Sequence, residues 1–340
     1  MLYKEKTEYT TVEANFQPLP KHGHLSEMTP EFAELKDAID KMFNPMWEIA
    51  DMDTLLKVGR TDPGTTYEDR GIVTEFTQFP ASDGTLIELK IYRQPKVQKD
   101  AALILRLHGG GWMVGCHETD GEENAQAAAN HNVVVASVNY RMAPEFPFPQ
   151  PLYDAYDALV WCKANAEKLG VNPERIILAG GSAGANLTAA LALLARDNGI
   201  TGILAQILHF PIICHPKFFP RDKYEFGSYM QNANASVLDA IKMEMALDTY
   251  IPDAKPDYRH SPILAESHKG LPPLLLQCAG LDPLRDEALA YAEVVQEAGV
   301  EVEHYAYQGL PHHFHTVVPT VPECKPFYAR YHAFLTKILQ

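Results

Sequence analysis

A chain of 340 residues with 46% hydrophobic side chains has the make-up of a folded globular protein, long enough for one large domain with an insertion or two modest ones. Its formal net charge of −15 speaks against a nucleic-acid partner or an anionic membrane surface, both of which need basic patches, and suits action on neutral small molecules. The five cysteines (Cys116, Cys162, Cys214, Cys278, Cys324) are scattered, odd in number and without a C-x-x-C pair, which favours core packing over metal or disulfide roles.

Met1 to Lys6 lacks the apolar run of a secretory signal, and no stretch approaches membrane-spanning length, so the expected setting is soluble and cytoplasmic. Residues 1–25, polar and containing Pro18 and Pro20, read as an arm. Thr29-Pro30-Glu31 then opens a helix with threonine as N-cap and proline in the first turn. Phe32, Leu35, Ile39, Met42 and Phe43 give it one apolar face, Pro45 is expected to end it, and Met46 to Leu56 to make a second short helical piece. Two amphipathic pieces ahead of any sheet either pack on the side of the domain or cover a pocket. Residues 1–65 are accordingly assigned to the arm and the first part of a helical lid.

Ile72 to Phe79 and Leu86 to Tyr92, joined by Ser82-Asp83-Gly84-Thr85, read as an antiparallel hairpin at a sheet edge. From Ala101 the rhythm changes. Apolar strands at 101–107, 133–138, 176–179, 203–210, 274–278 and 302–307 alternate with helical segments at 121–130, 152–169, 183–196, 285–298 and 325–339. The alternation predicts an α/β class: a mostly parallel, eight-stranded sheet with helices on both faces and ligands beyond the carboxyl ends of the strands. Residues 211–270, with Phe218, Phe219, Tyr224 and a helix from about Ser236 to Tyr250, exceed what a connection needs and are expected to form the second lid part within a 66–340 catalytic domain.

Three loops could carry chemistry. Gly180, Ser182 and Gly184 form a G-x-S-x-G between a strand and a helix, where the serine would stand proud of the sheet at a helix N-terminus. By itself the pattern also fits an ordinary glycine-rich turn. His108-Gly109-Gly110-Gly111-Trp112 leaves another buried strand, and consecutive glycines let backbone N–H groups turn inward to hold an oxyanion. Serine needs a base, and the base an orienting acid. Asp282 follows one late strand and His312 the next, in the nucleophile–acid–base order of this architecture; Asp286 rivals the acid, and His313 and His315 rival the base.

These motifs, with Tyr140 to Glu145, Phe148-Pro149, Ala185-Asn186-Leu187, Leu281 to Glu287 and His312-His313-Phe314, resemble the hormone-sensitive-lipase-like esterases of the α/β-hydrolase fold from about residue 70 onward. The resemblance implies Ser182 as nucleophile, His312 as base, Asp282 as acid, oxyanion donors at the N–H groups of Gly110, Gly111 and Ala183, a two-part lid, and no cofactor or metal. Two departures stand out: Gly181 replaces the aspartate of the usual G-D-S-A-G, and His313 replaces a glycine. With Trp112, Phe218 and Phe219 these are the expected pocket residues. Arg141 and Glu145 read as a buried Arg–carboxylate brace, and Asp154 as a capping or pairing residue. The expected activity is hydrolysis of small to medium hydrophobic carboxylic esters, with a homodimer as one assembly. An amidase or arylformamidase, a lyase, dehydratase or cyclase using His312 on a carbon-bound proton, and a non-catalytic small-molecule receptor are the competing readings.

Overall fold

The computed structural model describes residues 16–49, 51–62, 64, 68 and 70–340. Most of the expected arm, and the boundary drawn at residues 65 and 66, lie outside them. Among the described residues one eight-stranded sheet is present, in the order β1-β2-β4-β3-β5-β6-β7-β8. β1 (Val73–Pro80) and β2 (Leu86–Arg93) are the antiparallel edge hairpin. β3 (Ala102–Leu107), β4 (Val133–Val138), β5 (Ile176–Gly181), β6 (Ile203–His209), β7 (Leu274–Leu281) and β8 (Val302–Pro311) run parallel to one another.

The helices in chain order are α1 (Pro30–Trp47), α2 (Met52–Gly59), α3 (Gly121–Asn130), α4 (Gln150–Ala164), α5 (Ala166–Leu169), α6 (Ala183–Asp197), α7 (Ser228–Gln231), α8 (Ala240–Tyr250), α9 (Arg285–Glu297), α10 (Phe314–Val317) and α11 (Cys324–Leu339). Successive side chains of a strand point to opposite faces, so an apolar run without alternation needs cover on both. Leu103, Leu105, Leu107 and Leu178 pack with α4, α6 and α9, whereas Ile104, Val135, Ile177 and Ile207 pack with α3 and α11. No helix among the described residues is long and apolar enough to cross a membrane.

Four local expectations are corrected. α1 runs through Pro45 to Trp47, because a proline in the last turn removes one intrahelical bond and Glu48 N–H still reaches Asn44 O at 3.1 Å. α2 starts at Met52 rather than Met46, since the Asp51 carboxylate accepts from Thr54 N–H at 2.8 Å. α8 likewise begins at Ala240, capped by Asp239, not at Ser236. The single helix expected over 152–169 breaks into α4 and α5 at Asn165, whose side-chain amide donates to Trp161 O at 2.9 Å.

The chain leaves β3 for β4 on one side and returns to β5 on the other, and a sheet of this kind opens a crevice where its strand order reverses. The pairing register then aligns the chemistry. Leu107 sits opposite Gly180, so the loop after β3 meets the turn after β5; Leu281 sits opposite Pro311, so Asp282 and His312 leave the sheet side by side.

Candidate active site

Ser182 occupies the turn between β5 and α6 with φ 53° and ψ −119°, backbone space that costs a side-chain-bearing residue energy and is held only where the surroundings enforce it. They do so by close approach. A Cβ on Gly180 would lie 2.3 Å from Gly184 O, and one on Gly184 would lie 1.9 Å from Leu107 O. Only glycine fits at positions 180 and 184.

The hydroxyl so presented meets a continuous hydrogen-bond relay. His312 Nδ1–H donates to Asp282 Oδ2 at 2.6 Å, leaving Nε2 to accept from Ser182 Oγ–H at 2.9 Å. Asp282 is fully buried, and its other oxygen accepts from Leu284 N–H at 2.9 Å, which fixes the carboxylate in place. Asn232 of the insertion donates to Asp282 O at 2.9 Å, tying the acid loop to α7. Ser182 and His312 are 6% and 5% exposed.

The glycine loop lies alongside. Gly110 (φ 124°) and Gly111 (φ 60°) use conformations that favour glycine, and a Cβ on Gly110 would collide with Val114 O at 2.0 Å. His108 braces this loop: it stacks on Tyr140, its Nδ1–H reaches Gly109 O at 2.8 Å, and Tyr140 Oη–H donates to His108 O at 2.7 Å. Burial lowers the His108 imidazole to about 4, so it is neutral at pH 7. A Cβ on Gly109 would stand 3.4 Å from Ser182 Cβ, so the loop flanks Ser182 directly. Ala183 N–H heads α6, where the first N–H groups have no partner within the helix. From the insertion, Ala246 comes within 3.1 Å of where a Gly111 Cβ would be, so α8 rests on the glycine loop.

The two departures meet each other. His313 adopts φ 54° and lays its ring over Gly181, where a Cβ would stand 3.0 Å from His313 Cε1 and 3.2 Å from Nε2. Burial, reinforced by neighbouring His312 and His315, pushes this imidazole well below its ordinary value, so it is neutral. Asp120, which the sequence reading did not single out, faces the same point with Oδ1 3.4 Å away. Glu118-Thr119-Asp120 reads locally as a helix start, and only the register of β3 against β5 brings it to the elbow.

The rivals take other parts. Asp286 accepts from Gly227 and Ser228 N–H at 2.7 and 2.9 Å and pairs with Arg285, anchoring the insertion. His315 stacks on Phe327 at 4.2 Å. Trp112 is fully buried and stacked on Tyr250, while the ring contacts of Phe218 are to His215 and His260 and those of Phe219 to Tyr224 and Phe226, within the insertion. The Arg–carboxylate bracing runs through separate pairs: Arg141 holds Asp154 and Asp83, and half-exposed Glu145 holds Arg60 beyond α2. Among the described residues no group of three metal-binding side chains converges.

Residues 104–316 match the family model of the alpha/beta hydrolase fold, Abhydrolase_3. The chain is 36% identical over 247 residues to the carboxylesterase NlhH of Mycobacterium tuberculosis, covering 70% of this chain and 75% of that protein. It is 34% identical over 263 residues to an arylesterase of Saccharolobus solfataricus, covering 76% and 80%. Among solved structures, the crystal structure of vibralactone cyclase superposes with a TM-score of 0.81 at 28% identity, covering 94% of this chain and 97% of that one. The protein therefore belongs to the alpha/beta hydrolase fold family and is an esterase-type enzyme of its hormone-sensitive-lipase-like kind.

Proposed function

We propose that the protein hydrolyses small to medium hydrophobic carboxylic esters through an acyl-enzyme on Ser182. The observation that carries this reading is the unbroken Asp282–His312–Ser182 relay, with the serine held in strained backbone at the head of α6. His312 Nε2 takes the hydroxyl proton as Oγ attacks the acyl carbon, and buried Asp282 keeps Nδ1 protonated and stabilises the imidazolium that forms. The N–H groups of Gly110, Gly111 and Ala183 receive the tetrahedral oxyanion, a type of contact worth about 3 kcal/mol per donor. His312 then gives its proton to the departing alcohol, activates a water, and the acid leaves.

The N-terminal helices and residues 211–270 serve as a two-part lid. In support, Lys242 of α8 reaches Asn44 Oδ1 at 3.5 Å and Ala246 presses on the glycine loop. Trp112 acts by stiffening that loop against Tyr250, while Gly181 and His313 shape the wall beside the nucleophile. Similarity to a protein named as a cyclase keeps a second reading alive, in which a group other than water completes the reaction.

A p-nitrophenyl ester chain-length series on the wild type and Ser182→Ala tests the assignment. Turnover that favours short acyl chains and falls by about 10⁴-fold or more in the variant is expected. Fluorophosphonate labelling of Ser182 without ester turnover would instead point to an amidase or cyclase, and no labelling to a binding protein. For the base, His313→Ala should keep far more activity than His312→Ala; the reverse would overturn the choice.

A further inference from the structure

A cavity of about 500 Å³ opens between the turn before α3, α3 itself, α10 and α11. Four carboxylates line it, together with His315 and Tyr328. Three have cations of their own: Glu118 pairs with Lys90 at 2.6 Å, Glu122 with Arg70 at 2.6 Å, and Glu123 with Arg106. The fourth, Asp120, is 5% exposed, has no ion-pair partner among the described residues, and its Oδ2 lacks a hydrogen bond there. Its other oxygen stands 3.4 Å from the position of a Gly181 Cβ, one residue from Ser182.

A buried carboxylate without an ion-pair partner is expensive to keep even with the Arg106 charge nearby, and the cost is offset when a cation arrives to pair with it. The donors present do not suit a metal ion, since no three-ligand group converges among the described residues. The volume is that of an organic substituent, and the Tyr328 ring adds a face of the kind that attracts alkylated ammonium. The net charge of −15 raises the local concentration of cations around the whole molecule. We propose that this cavity is a subsite for an organic ammonium group carried by the ester substrate, with Asp120 as its counter-ion. The assignment rests on the ester-hydrolysis reading and names a substrate class for it. Asp120 Oδ1 and the His313 ring face the same point over Gly181, so an aspartate at 181 would crowd both.

Isosteric ester pairs that differ only in charge test it. Acetylcholine against 3,3-dimethylbutyl acetate places the charge on the alcohol side. The p-nitrophenyl esters of 4-(trimethylammonio)butanoate and 5,5-dimethylhexanoate place it on the acyl side. In at least one pair the cationic member should show a kcat/KM about tenfold or more above the neutral one, expressed mainly in KM, and Asp120→Asn should bring that ratio close to one. Should Asp120→Asn fail to fold, Thr316→Lys decides, because a lysine from the exposed cavity rim supplies a tethered ammonium and should likewise erase the preference. Ser182-dependent turnover in which the neutral member equals or beats the cationic one in both pairs overturns the subsite and leaves the esterase reading standing. No turnover of any of the four esters, with no fluorophosphonate labelling, sinks both.

Discussion

An imidazole at position 313 can fold back over the elbow only because residue 181 has no side chain, and the glycine at 181 is tolerated because that imidazole fills the space. The two positions are a single coupled change rather than two. Gly181→Asp should force apart His313 Cε1 and Asp120 Oδ1, costing about 1–3 kcal/mol of stability by overpacking and at least about tenfold in kcat/KM. Adding His313→Gly removes the obstruction, so the double variant should be more active than Gly181→Asp alone; strictly additive losses in the four-way comparison would refute the coupling. At this scale much was readable beforehand. Ser182, Asp282 and His312 each follow a strand end within a local motif, so their approach could be inferred from chain order. Asp120 could not be: nothing near it signals chemistry, and its closeness to Gly181 is a product of the β3–β5 register.

The insertion between β6 and β7 is fastened by residues of α9 as much as by its own packing. Asp286 takes the N–H groups of Gly227 and Ser228, and Arg285 reaches Ser26 Oγ at 2.6 Å, so one buried pair ties α7 and the segment before α1 to the acid loop. Asp286→Ala strands the Arg285 guanidinium and two backbone donors, a loss of about 3–5 kcal/mol. A lower thermal midpoint and faster proteolytic cleavage within residues 211–270 are expected; cleavage no faster than wild type would show that the segment is held otherwise. Element boundaries were where the sequence misled. Pro45 looked like a stop, yet a proline in a final turn forfeits little, and the true starts of α2 and α8 were marked by the aspartate caps Asp51 and Asp239 rather than by apolar spacing. The sheet fared better, because long apolar runs leave few alternatives.

Taken as a whole, the molecule buries several imidazoles in uncharged form, and this ties its stability to pH. Burial lowers His108 to about 4 and His117 and His315 to about 3. The unfolded chain binds their protons first as pH falls below about 6.5, so the stability they allow is intact above that value and drains as pH falls toward about 4. Asp120 acts in the opposite sense. Burial raises its carboxyl to about 6 despite Arg106, so it costs stability at neutral pH and returns part of it on acidification through 6. The lowered imidazoles outnumber the two raised carboxyls, Asp120 and Glu287, and urea unfolding should give a lower value at pH 5 than at pH 7. A midpoint that rises toward pH 5 would contradict this balance.

The pairing of β7 with β8 has a consequence in time. Ser182 and His312 are separated by 130 residues of chain, and His312 reaches Ser182 only when β8 has joined the sheet. During synthesis that interval lasts on the order of 10 s. Until then Ser182 has no His312 to accept its hydrogen bond. A chain cut short before β8 therefore cannot form the Ser182–His312 hydrogen bond.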